Sequence, residues 1–218
     1  MTLVATGMAS NLGQSTRVGR VAPMWDDVTR APRQEDVDAV VLRALAAQPR
    51  CGEVVVVAID GRSGAGKTTL ATGVAHALAA ADTVAVLHLD HLYPGWDGLA
   101  EAPGLLTRQV LEPLSRGEPA AYREWSWVRD RWAGTRDVPS CRFLVVDGCG
   151  ASVDPARAYA AVTVFVDADL VLRQRRGIAR DGETYRPHWQ RWAAQEDALF
   201  DADRTRRRAD LVIDTSSL

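Results

Sequence analysis

The run "EVVVVAIDGRSGAGKTTLATGVAHALAAA", residues 53–81, dictates most of what the chain can become. Its first part is short and β-branched, fit for a strand buried in a parallel sheet. Its last part carries apolar residues at helical spacing. Between them, Gly61, Gly66, Lys67 and Thr68 fit the pattern G-x-x-x-x-G-K-[ST]. Glycines let the backbone wrap closely, so that successive N–H groups point inward and cradle phosphate oxygens. A helix starting near Lys67 adds the positive end of its dipole. Lys67 is the only lysine among the 26 Lys and Arg residues. A compact ammonium reaches β- and γ-phosphates, whereas Arg brings a wide planar fork. Gly61, Arg62, Ser63, Gly64, Ala65, Gly66, Lys67, Thr68 and Thr69 are therefore the expected ATP contacts. The Thr68 hydroxyl is an expected ligand of Mg²⁺.

Four more strand candidates follow, at residues 83–90, 142–147, 162–167 and 211–214. Helical patterns occupy 35–47 before the loop, then 105–116, 155–161, 169–180 and 187–208. Alternating strands and helices specify a parallel sheet covered on both faces. The expected fold is α/β, a P-loop NTPase three-layer sandwich with a mostly five-stranded parallel sheet. Residues 1–34 are rich in Gly, Ser, Thr, Pro and Asn and read as an N-terminal tail or arm. Residues 35–218 read as one domain, since 218 residues suffice for a single full core.

Composition closes several alternatives. A formal net charge of −2 gives no global basic field for nucleic acid. No apolar run approaches the roughly 18 residues that span a membrane. The three cysteines, Cys51, Cys141 and Cys149, have no metal-ligand spacing and are odd in number. They read as free thiols, as in a reducing cytoplasm. Assembly into a homo-oligomer stays open.

Ligands of such sheets sit beyond the carboxyl ends of the strands, and two acids end strands there. Asp147 follows "FLVV", where an acid commonly holds Mg²⁺ directly or through water; capping a turn is its other reading. Gly148 comes next, where motor- and transport-type ATPases usually place a second acid, so hydrolysis is disfavoured. Asp90 follows "TVAVLHL" and precedes a loop built on Pro94 and Gly95. A carboxylate across from the γ-phosphate can take the proton of an attacking hydroxyl, with Tyr93 and Trp96 lining an acceptor pocket. Its other reading is a turn-forming Asp.

The order of these features resembles the uridine kinase family of P-loop kinases, the group that includes phosphoribulokinase and pantothenate kinase. "DGRSGAGKTTLA" is similar to that family's first strand and phosphate loop. "LDHLYPGW" is similar to its Asp-x-Phe-Tyr segment, which implies Asp90 as base and Tyr93 as an acceptor contact. "PAAYREWSW" falls where the family has a Tyr-Asp-Phe segment ending in His, so Tyr122 matches and Trp127 takes the His position. "LVVDGCGA", "VDADLVLRQRRGIARDG" and "RRRADLVIDTS" resemble its acidic-Gly strand end, its Arg-rich lid and its closing helix and strand. The likeness covers about residues 52–216. It implies an ATP- and Mg²⁺-dependent kinase, with a nucleoside such as uridine or cytidine as leading acceptor. Arg123 in place of Asp, Leu92 in place of Phe, and Trp127 leave a vitamin, sugar or antibiotic as alternatives. An NTPase switch without an acceptor is the rival of another class.

Arg173, Arg176 and Arg180 share a helix face by their i, i+3 and i, i+4 spacing. With the family order, they are expected in a lid over about 170–186 that neutralises transition-state charge; a solvated face is the bland reading. Arg204, Arg206, Arg207 and Arg208 read as a solvated C-terminal turn, with contact to ATP as the other reading. Residues 99–136 separate two strands by far more than a crossover needs. They are expected to form an acceptor-side cover holding Trp125, Trp127 and Trp132. The seven tryptophans serve ring stacking or packing.

Overall fold

In the computed structural model of the chain, residues 31–217 are described. Most of the expected tail, residues 1–30, lies outside the described residues. Helix α1 (Gln34–Ala46) leads into β1 (Val55–Gly61), the phosphate-loop segment and α2 (Lys67–Leu78). Strand β2 (Val84–His88) follows, then α3 (Ala102–Leu106) and α4 (Glu112–Ser115), joined by a π-helical turn at Thr107–Leu111. A hairpin of β3 (Ala121–Ser126) and β4 (Arg131–Asp137) precedes β5 (Phe143–Asp147) and β6 (Ala160–Asp167). The chain closes with α5 (Leu170–Tyr185), α6 (Trp189–Asp203), α7 (Thr205–Arg208) and β7 (Leu211–Asp214).

Five strands form one parallel sheet in the order β2-β5-β1-β6-β7. Strand β1 is buried at every residue because it is central and covered on both faces. The two-residue repeat of a strand sends its side chains alternately to opposite faces. Val55, Val57 and Ile59 pack with Val37 and Val40 of α1 and Leu70 and Val74 of α2. Val56 and Ala58 belong to a second core with Leu106, Leu111, Trp192 and Phe200, from the α3–α4 segment and α6. The result is the three-layer α/β sandwich expected from the sequence, with the carboxyl ends of β1, β2 and β5 at Gly61, His88 and Asp147.

Several boundaries differ. The strand expected to run to Asp90 ends at His88, and Leu89–His91 forms a 3₁₀ turn. The helix expected at 155–161 is a short 3₁₀ turn, Ala156–Tyr159, because Ala160 already enters β6. The helix expected at 187–208 breaks at Arg204, whose left-handed φ of 58° separates α6 from α7. Helix α5 runs on to Tyr185 through non-helical backbone at Gly182 (φ 62°, ψ −143°). Residues 121–137 form a two-stranded sheet outside the central one.

Candidate active site

The phosphate-loop segment is shaped by what surrounds it. Gly61 and Gly64 adopt φ of 136° and 76°, and a Cβ on either would lie 2.1 Å from a backbone oxygen, of Val166 and Arg173 respectively. The second contact means that helix α5 rests its main chain on the loop. Lys67, first residue of α2, is buried, and its ammonium donates to the Arg62 carbonyl at 3.0 Å. Burial opposes its charge. The Cys149, Glu196, Asp90 and Asp60 side chains outweigh that and raise its pKa above the usual value.

Thr68 and Asp147, the expected Mg²⁺ ligands, lie side by side: the Thr68 hydroxyl donates to Asp147 Oδ2 at 2.7 Å. The other carboxylate oxygen, Oδ1, lies 2.5 Å from His88 Nδ1. His88 and Asp147 are register partners on adjacent strands, so their side chains share a face. A hydroxyl and a carboxylate side by side are the hard oxygen donors that Mg²⁺ takes. That ion usually completes its shell with water and substrate phosphates, so two protein donors fit it. Behind them Gly148, at φ 144°, has Leu89 Cβ only 2.5 Å from where its own Cβ would stand. The backbone has no room there for a second acid.

Asp90 follows β2 in the 3₁₀ turn and lines one cleft with Ser63, Tyr93, Trp96, Trp127, Arg180, Asp181, Tyr185 and Trp192. Burial pushes its pKa up to about 6; Asp147 adds to that, while Arg180, Lys67 and His88 pull it down. The cleft volume is about 30 Å³, room for about two waters. Rings wall it: Trp96 stacks on His188 at 4.3 Å and on Tyr185 at 5.6 Å, and meets Trp127 at a 57° tilt. Tyr93 is buried and spends its hydroxyl on the Cys149 carbonyl at 3.0 Å, and the Trp127 indole N–H donates to the Asp90 carbonyl at 2.8 Å.

No protein-family model matches the chain, and no curated protein does. Solved structures match over most of its length. A possible uridine kinase from Bacillus stearothermophilus aligns at 22% identity with a TM-score of 0.61, covering 83% of this chain and 98% of that one. A provisionally assigned fructose transport system kinase from Silicibacter sp. TM1040 aligns at 19% identity with a TM-score of 0.51, covering 81% and 98%. The fold is the uridine kinase-like P-loop kinase fold.

Within this P-loop kinase fold the three arginines of α5 part company. Arg180 reaches the cleft, in a two-pronged pair with Asp181 at 2.7 Å for each bond. Arg176 turns to the end of β7, donating to the Thr215 hydroxyl and carbonyl at 3.0 and 3.1 Å. Arg173 is buried beneath the loop, donating to the carbonyls of Ala168 at 3.1 Å and Ser63 at 3.4 Å. The shared face expected for the three is thus divided among three destinations. Tyr122 stands back from the cleft lining, stacked on His91 with its hydroxyl 3.4 Å from Nδ1. Arg206 pairs with Asp167 and Arg208 with Asp154 and Asp203, contacts of an ordinary surface turn.

Sequence reasoning missed four polar groups at the site. Asp60, next to last in β1, is fully buried and accepts from the N–H groups of Gly61, Gly150 and Ser152 at 2.7–2.8 Å, tying the loop after β5 to the phosphate loop. His88, Asp181 and Glu196 are the others. His88 ends β2 in register with Asp147, and a polar residue closing an otherwise apolar strand was its signal. Glu196 sits four residues from both Trp192 and Phe200, on the buried stripe of α6, so a charge on an apolar helix face was its signal.

Proposed function

We propose that the chain is an ATP- and Mg²⁺-dependent kinase that moves the γ-phosphate to a hydroxyl of a small molecule. One observation carries the reading: a single cleft joins Ser63 of the phosphate loop to the carboxylate of Asp90. The loop N–H groups and Lys67 would bind the triphosphate, with Arg180 at the cleft to offset charge in the transition state. Thr68 and Asp147 would hold Mg²⁺, which neutralises β- and γ-phosphate oxygens when bound. Asp90 takes the proton of the acceptor hydroxyl as its oxygen bonds to phosphorus and the bond to ADP breaks. The steric closure at Gly148 favours a kinase over a water-activating NTPase. Aromatic walls favour an acceptor carrying a flat ring, and a nucleoside remains the leading candidate. ATP consumption against nucleosides, pantothenate and sugars, with product masses, tests this; no acceptor-dependent product would overturn it.

An acceptor larger than the cleft as it stands would need α5 to move aside, and Gly182 is a break in that helix's backbone. Trp96, Trp127 and Trp192 would then change surroundings. Acceptor binding should shift tryptophan fluorescence more than ATP alone; equal responses to both would count against the cleft as acceptor site. The pH profile gives a second check. A base must be deprotonated, so kcat should rise with pH through about 6, where the Asp90 carboxyl titrates. A bound cation beside Asp147 would move that midpoint downward. A kcat flat between pH 4 and pH 8 would remove Asp90 from the proton transfer.

A further inference from the structure

The phosphate loop already holds an anion of its own. Glu196 of α6 is fully buried, a costly place for a carboxylate unless donors surround it. Its Oε1 accepts the Ser63 N–H at 2.7 Å and the Cys149 thiol at 3.2 Å. The same thiol lies 3.6 Å from the Lys67 ammonium. Its Oε2 has no hydrogen-bond partner among the described residues, and Arg173 Nη1 stands 3.8 Å away. A loop N–H, a lysine and an arginine are the groups that a transferred phosphoryl would recruit. Ser63 also opens onto the cleft of Asp90, which marks it as the terminal-phosphate end of the loop.

We propose that Glu196 is a positioning residue of the terminal-phosphate subsite, an internal anion that holds the Ser63 N–H in the empty protein and yields it to the γ-phosphate of ATP. This rests on the kinase reading, since it needs a nucleotide on the loop. A diphosphate stops short of Ser63 and leaves Glu196 in place. A triphosphate brings its terminal charge against the carboxylate, so Glu196 sets how strongly ATP is preferred over ADP.

The test is calorimetric binding of Mg·ATP and Mg·ADP to wild type and to Glu196→Gln. The amide keeps the shape and an acceptor for Ser63 but carries no charge. ATP affinity should rise roughly tenfold or more, as expected when a close like charge is removed, with ADP unchanged within about threefold. Glu196→Asp, which keeps the charge and draws back from Ser63, should gain less. Parallel loss of both affinities, or an unchanged ATP-to-ADP ratio, would mean that the carboxylate only props up the loop. A wild type that binds neither nucleotide would overturn the kinase reading together with this one. Should the variants not fold, hydrogen exchange on the unaltered protein decides: a non-hydrolysable ATP analogue should speed exchange in α6 around Glu196, and ADP should not. Identical exchange with both would refute the proposal.

Discussion

Lys67→Ala should abolish phosphoryl transfer, by roughly 10³-fold or more, while the protein stays folded. Removing one preorganised hydrogen-bond donor from a transition state typically costs about 10²–10³ in kcat, and here a full charge goes with it. The fold should survive because the sheet and both cores are built without the ammonium, whose hydrogen bonds go to the Arg62 carbonyl at 3.0 Å and the Cys149 thiol at 3.6 Å. Lys67→Arg is the sharper variant. The ammonium sits buried between the Arg62 carbonyl and the Cys149 thiol, a place that suits a compact point charge better than a wide planar fork. Strong impairment is expected there too. Near-normal turnover in Lys67→Arg would show that a point charge is not what this position demands. Steady-state turnover and melting temperature on the two variants separate catalysis from stability.

Asp90→Asn should lower kcat by roughly 10²–10⁴-fold, the usual contribution of a general base, and leave ATP affinity within a few-fold. The amide keeps the size of the side chain but cannot take a proton at neutral pH. The other roles open to a carboxylate at this place predict different patterns. A Mg²⁺ ligand would lose Mg·ATP affinity and be partly rescued by extra Mg²⁺. A residue that merely shapes the turn after β2 would lose melting temperature and keep its turnover per folded molecule. Wild-type turnover in Asp90→Asn would end the base assignment, and with it the strongest reason for reading a kinase.

What could be read in advance divides along a physical line. The phosphate loop, the parallel sheet and the strand-end acids are local features, each written in one short run of residues. The bounds 211–214 of the last strand come out unchanged as Leu211–Asp214, because "LVID" is short and flanked by polar residues. The hairpin did not show, because Arg131–Asp137 is almost wholly exposed and carries no apolar alternation to mark it. The division of Arg173, Arg176 and Arg180 was hidden for another reason. Helical spacing says which residues share a face, and it is silent on which neighbours that face meets. Glu196 is the extreme case: its partners Ser63 and Cys149 are far away in sequence and reach it only through tertiary packing.

Among the described residues, strand β2 lies at the edge of the sheet and is hydrogen-bonded on one side only, to β5, in a register running from Val84↔Phe143 to His88↔Asp147. The proposed metal carboxylate, Asp147, thus ends β5 opposite His88, and the proposed base, Asp90, follows two residues later in the 3₁₀ turn after β2. The walls of the cleft come from elsewhere, from α5, α6 and the loop and hairpin that hold Trp96 and Trp127. Acceptor preference can therefore drift through those walls while the two acids keep their spacing.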